Sequence, residues 1–201
     1  MRPETAIFIP WSIWALTWIA AAVWANRTVR RPGIGKEWAY RVVTLAGFVL
    51  LFAFAGKYAN GHLTLYEFSG PLNVRRWALP QNAGWAMVAL AAAGCLFAWW
   101  ARIYLGRLWS GSITRKEGHR VVNTGPYRFV RHPIYTGLIT AGFATAAVSG
   151  TLRGLAGAVL LLIGYWLKAR VEERFLRAEL GAEAYDAYAR QTAMLVPFVK
   201  V

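Results

Sequence analysis

Acidic side chains are scarce in this sequence: nine Asp and Glu stand against 23 Lys and Arg in 201 residues. Cysteine is scarcer still. Cys95 stands alone, which excludes a disulfide framework and any cysteine-rich metal centre. The three histidines, His62, His119 and His132, are scattered. No His-x-x-x-His spacing joins them, so no metal site is expected. Charged residues of both signs make up 16% of the chain, less than a soluble domain of this size carries. Internal repeats and low-complexity linkers are also missing.

What fills the space is apolar. Hydrophobic residues reach 57%, Trp alone numbers 11, and the mean hydropathy is +0.35. Five apolar segments stand out, at 6–25, 39–56, 79–101, 134–148 and 152–167. The first three approach the ~20 residues that a bilayer core requires. The expected fold is therefore an all-α integral membrane protein with five transmembrane helices. Three spans fill residues 1–101, and a catalytic half fills 102–201, the two forming one integrated domain. The first segment follows a single basic residue, Arg2, and is long and rich in Trp, so it reads as a span and not as a signal peptide. Only Ser149-Gly150-Thr151 separates the last two segments, which predicts a tight helical hairpin. Gly137, Ala141 and Gly142 in one arm and Gly154, Gly157 and Ala158 in the other are expected to let those two helices approach closely.

The formal charge of +14 would suit nucleic acid, but its distribution argues for membrane topology instead. Alternating the loops across five spans places 18 Lys and Arg on one side and 5 on the other. The rich side is expected to be cytoplasmic, against the anionic leaflet of a prokaryotic inner membrane, with the N-terminus outside and the C-terminus inside. Past residue 167 the chain turns polar without losing helix formers until Leu180. The last span is expected to continue as a helical extension that Gly181 ends, before a short helix with Tyr185 and Tyr188.

Arg131 and His132 precede the fourth segment directly, and Pro133 suits its first turn, where no backbone donor is lost. His132 lies 18 residues before Gly150, and Glu172 lies 22 after it. Two antiparallel helices rising ~1.5 Å per residue bring such positions to one height. Arg131, His132, Glu172 and Glu173 should thus share one membrane rim, with Glu172 and Glu173 about 100° apart around their helix. A rim with both signs of charge suits a zwitterion such as S-adenosylmethionine, whose carboxylate, ammonium and sulfonium match the helix start and the acid. For Glu173, Arg128 and Arg174 an anchoring or ion-pair role is the better reading.

The stretch VNTGPYRFVRHPIYTG (122–137) resembles the core motif of the isoprenylcysteine carboxyl methyltransferase family. The stretch ARVEERFL, followed by Gly181, Tyr185, Tyr188 and Pro197, resembles the same family's C-terminal signature. The likeness covers about the last 90 residues. Phospholipid and small-thiol methyltransferases share the pattern, as do NADPH-dependent sterol reductases. The resemblance implies methyl transfer from S-adenosylmethionine to a lipophilic acceptor: an isoprenoid carboxylate or thiol, or a lipid amine. It implies His119, Val121, Val122, Tyr127, His132, Pro133, Tyr135 and Glu172 as cofactor contacts. Arg131 and Glu172 are the expected catalytic groups, and Lys168 and Arg170 the expected substrate contacts. Lys168 stands where prenylcysteine enzymes of the family carry a substrate-linked arginine. Lysine keeps the charge and loses the planar fork that grips a carboxylate in two places. The alternatives are a membrane lipid reductase using NADPH and a non-enzymatic scaffold. No nucleic acid and no obligate protein partner are indicated.

Overall fold

A computed structural model describes every residue except 25, 26, 31, 32, 34, 36, 53, 60, 61, 68–70, 119, 120, 198, 200 and 201, with backbone alone for 54–59, 62–67 and 116. The described chain is mostly helix. In order it forms α1 (Pro3–Ala6), α2 (Phe8–Ala21), β1 (Thr28–Arg30), α3 (Trp38–Phe52), β2 (Phe54–Ala59), β3 (His62–Glu67), α4 (Gln81–Leu105), β4 (Arg115–Lys116), α5 (Pro133–Ser149), α6 (Leu152–Leu180) and α7 (Ala182–Gln191).

Three helical stretches are long and apolar enough to cross a membrane: Pro3–Ala21, Gln81–Leu108 and Leu152–Leu180. Two shorter apolar helices, α3 and α5, pack against them. Each of the five apolar segments is thus helical, but the second ends early. It was expected to run to residue 56, whereas α3 stops at Phe52 and the chain turns into an antiparallel hairpin with Phe54 opposite Glu67 and Ala59 opposite His62. Asn60-Gly61 between these strands is a strong sequence signal for a hairpin, which a count of apolar residues passes over. A second antiparallel pair joins β1 to β4.

The α5–α6 turn forms as expected. Gly150 takes a left-handed conformation, φ 66°, and a side chain there would strike the Trp77 carbonyl. Thr151 then caps α6 by accepting from the Gly154 N–H. Several of the small residues face helices other than the one the hairpin expectation assigned to them. Gly137 and Ala141 of α5 face Gly94 and Ala98 of α4, where an added Cβ would meet a facing backbone oxygen at 2.5 Å or less. Gly157 and Leu161 of α6 face Gly47 and Leu51 of α3 in the same way. Gly142 meets the opposite arm at Leu161, and Gly154 meets it at Ser149 beside the turn. The tightest crossings are therefore α4 with α5 and α3 with α6. Backbones approach wherever both partners lack bulk, and a four-residue spacing puts the small positions on one helical face.

Three buried arginines then fasten helix ends. Arg102 donates to the carbonyls of Ala21 and Trp24 beyond α2, at 2.9 and 3.0 Å, and lies over the Trp109 ring. Arg153 donates to the Leu50 carbonyl of α3 and to Asn73. Arg131 donates to the carbonyls of Ala189 and Thr192 at the end of α7. Each guanidinium satisfies carbonyls that a helix C-terminus leaves unpaired, at the negative end of its dipole.

Candidate active site

His132 occupies the N-cap position of α5 and Pro133 its first turn. The tail pairs with this corner. Arg131 and His132 donate their N–H groups to the carbonyls of Ala193 and Met194, at 2.7 and 3.1 Å, and the Thr136 hydroxyl donates to Leu195 at 2.6 Å. Opposite stands one face of α6. Tyr165, Lys168 and Glu172 recur at spacings of three and four residues, so all three project the same way.

Across the gap the rings of His132, Tyr135 and Tyr165 stack in a row, at 5.2 and 5.0 Å with interplanar angles of 4° and 19°. The Tyr135 hydroxyl donates to Glu172 Oε2 at 2.6 Å. The Lys168 ammonium donates to the Gly111 carbonyl and lies 5.1 Å from the Tyr135 ring centre. His132 Nδ1 is 3.7 Å from Glu172, too far for a hydrogen bond.

The two neighbouring glutamates have separate environments, as the 100° step between them requires. Glu173 turns to the protein: Arg131 Nε donates to it at 2.6 Å, and His132 Nε2 lies 3.1 Å away. Arg131 is thereby committed to Glu173, Ala189 and Thr192. It was expected to hold the site or the acceptor in place; in the structure it ties α5, α6 and α7 together. Glu172 keeps one carboxylate oxygen with no partner among the described residues.

These groups line a cavity of about 210 Å³. Of the expected site residues, Val121, Val122, Tyr127, Arg131, His132, Pro133, Tyr135, Lys168 and Glu172 all line it. His119 lies outside the described residues. Arg170 does not line the cavity: its side chain is exposed, with the guanidinium 5.6 Å from the Trp166 ring centre. Two helical steps from Lys168 turn it roughly 200° away, which the expectation overlooked.

Several lining residues were not legible in the sequence. Trp14 and Trp18 come from α2, Trp109 and Thr114 from the segment after α4, and Tyr185 and Tyr188 from α7. The two tyrosines had been placed on the right helix but given no contact. Tyr188 donates to the Tyr127 carbonyl at 2.7 Å, which closes α7 over the cavity. Burial, reinforced by the Glu172 carboxylate, pushes the Tyr127 phenol well above its ordinary value. Burial also raises Tyr188. Both remain neutral and act as donors, not bases.

Comparison with known proteins bears on the same segment. Residues 87–177 match the model of the isoprenylcysteine carboxyl methyltransferase (ICMT) family. That segment, a little under half of the chain, resembles the family. It is 31% identical over 88 residues to protein-S-isoprenylcysteine O-methyltransferase B of Arabidopsis thaliana, covering 43% of this chain and 44% of that one. It is 30% identical over 118 residues to the nickel-cobalt-cadmium resistance protein NccN of Alcaligenes xylosoxydans xylosoxydans, covering 56% of this chain and 52% of that one. The chain spans about half the length of the curated relatives it matches. Among the described residues no group of three His, Cys, Asp or Glu side chains gathers as a metal site would. The ICMT-like segment holds the α5 corner and Glu172, whereas Trp14, Trp18, Tyr185 and Tyr188 lie outside it.

Proposed function

We propose that this protein is an ICMT-like membrane methyltransferase that uses S-adenosylmethionine and a lipophilic acceptor at the cytoplasmic face of a prokaryotic inner membrane. The observation that carries the reading is the single cavity that joins both family motifs. It has a polar side built on Glu172, His132 and Tyr135 and an apolar side built on Trp14, Trp18, Leu105 and Leu138.

The residues present fit the cofactor. The half-buried Glu172 carboxylate has an oxygen to spare for an ammonium or a ribose hydroxyl. The faces of Tyr135 and Tyr165 suit a cation, which aromatic rings attract. Thr114 is 5% exposed, lines the cavity, and its hydroxyl has no hydrogen-bond partner among the described residues. Such a group is costly to bury unpaired, and a polar ligand would satisfy it. NADPH fits less well. Its phosphates need several free cations, yet Arg131 is committed and Lys168 is the remaining ammonium or guanidinium on the wall among the described residues.

When bound, the sulfonium supplies a methyl group already activated for in-line displacement. The chain's own residues have little acid–base work to do. Glu172 would fix the cofactor, with its carboxylate held by Tyr135. Glu173 and Arg131 would hold His132 and the corner of α5. Lys168, held over Tyr135, would face the acceptor. The aromatic wall and α7 exclude water, so rate derives from alignment in a dry site.

Calorimetry with S-adenosylhomocysteine on the detergent-solubilised protein tests this. Binding that Glu172→Gln weakens by about 10-fold or more supports it, the scale expected for a charge-assisted hydrogen bond. No heat at millimolar ligand, or stabilisation by NADPH alone, would refute it.

A further inference from the structure

Three indoles of this protein donate hydrogen bonds within the chain. Trp11 donates to the Thr145 hydroxyl at 2.9 Å, Trp77 to the Ala147 carbonyl at 3.0 Å, and Trp99 to the Thr17 hydroxyl at 3.0 Å. Trp14 differs from them: its Nε1–H is shut away from solvent and has no acceptor among the described residues. A third orphan, the Thr44 hydroxyl, sits at the α3–α6 crossing against Gly164 and away from the cavity. Trp14, by contrast, lines the cavity.

Its setting is aromatic. The Trp14 and Trp18 rings lie 4.9 Å apart, and Trp18 meets Trp109 edge-on at 5.3 Å. This wall belongs to α2 and to the segment after α4. It gives a bare hydrocarbon the burial it needs but leaves the indole N–H unsatisfied. A molecule with an oxygen at that depth satisfies both.

We propose that the Trp14–Trp18–Trp109 wall is a subsite for an oxygen-bearing lipophile, such as a ketone, ether or alcohol, whose oxygen accepts a hydrogen bond from Trp14 Nε1–H. The inference rests on the methyltransferase reading only in taking this lipophile as the acceptor molecule, which is methylated at a separate carboxylate, thiol or amine and not at the oxygen that Trp14 holds. It makes α2, which lies outside the family-matched segment, the element that selects among acceptors. A pocket built to hydrogen-bond an oxygen discriminates strongly against the analogue that lacks it.

The test uses the full chain in lipid nanodiscs with two probes, 2-tridecanone, which carries one carbonyl, and tridecane, which carries none. In protein with 15N-labelled tryptophan, the Trp14 indole resonance is identified by its loss in Trp14→Phe. The expected result is a downfield shift with the ketone and none with the alkane. The ketone should also raise the melting temperature of the unaltered protein more than the alkane does, a comparison that needs no variant. In Trp14→Phe that difference should vanish. Equal effects of the two probes, or a Trp14 resonance that neither moves, would overturn the subsite. Cofactor binding is read separately with S-adenosylhomocysteine, so failure of the subsite and failure of the methyltransferase reading are distinguishable.

Discussion

Adjacent glutamates carry opposite expectations at the scale of single residues. Glu172 faces the cavity, and Glu173 faces Arg131 and His132. Glu172→Gln should leave the melting temperature nearly unchanged and weaken S-adenosylhomocysteine by about 10- to 100-fold, since charge-assisted hydrogen bonds are worth about 1.5–3 kcal/mol. Glu173→Gln should do the reverse in order of severity. It leaves the Arg131 guanidinium, 5% exposed, without its counter-charge. Removing one partner of a buried pair costs about 3–5 kcal/mol, so the melting temperature should fall clearly before any effect on affinity is resolved. Calorimetry and thermal unfolding on both variants check this, and similar profiles for the two would contradict the assignment. Helical geometry made this pair legible from sequence, because neighbours on a helix cannot face the same ligand. The same geometry applied to Lys168 and Arg170 would have removed Arg170 from the substrate contacts. Thr114 and Trp14 had no such signal: an unpaired hydroxyl or indole is a property of the folded surroundings, not of spacing.

Among the elements, the apolar runs announced the helices and the α5–α6 hairpin, but several of the small residues assigned to that hairpin face other helices. Gly137 and Ala141 have the four-residue spacing that favours close packing, and so do Gly94 and Ala98. Sequence adjacency assigned the small residues Gly137 and Ala141 to α6; for them the matching small-residue motif in α4 was the better guide. Gly94→Val or Gly137→Val should therefore be far more damaging than Gly142→Val, because the first two would drive a side chain into backbone at 2.5 Å or less, while Gly142 faces the movable Leu161 side chain. Overpacking costs about 1–3 kcal/mol where neighbours can shift, and backbone cannot shift as a side chain does. Yield of folded protein in detergent checks the ranking. The tail is another element whose role was only half legible. Its helix was visible from Gly181 onward, but not the pairing of residues 193–195 along the α5 corner. Truncation after Gln191 removes the acceptors for Arg131 N–H, His132 N–H and the Thr136 hydroxyl while leaving the five apolar helices whole. The truncated chain should remain membrane-embedded and extractable, and should lose cofactor affinity by at least 10-fold. Unchanged affinity would show that this pairing does not support the site.

Over the whole molecule, the distribution of basic residues and the position of the site make one joint demand. Cavity, α7 and the α5 corner lie at one end of the bundle; the Gly150 turn, Arg75 and Glu4 lie at the other, with Arg75 donating to Glu4 at 2.9 Å. A cofactor made in the cytosol can reach the site only if the first end faces inward. The excess of Lys and Arg at that end predicts the same orientation through an independent cause, retention of cations on the cytoplasmic side. The native chain makes this easy to test, because its single cysteine, Cys95, is 5% exposed and packed among alanines. On a Cys95→Ala background, Val74→Cys and Arg190→Cys place one thiol at each end, both at exposed positions. A membrane-impermeant maleimide added to intact spheroplasts should label position 74 and spare position 190, and permeabilisation should expose 190. The inverse pattern would place the cavity on the outer face, and cytosolic methyl transfer would fall with the orientation.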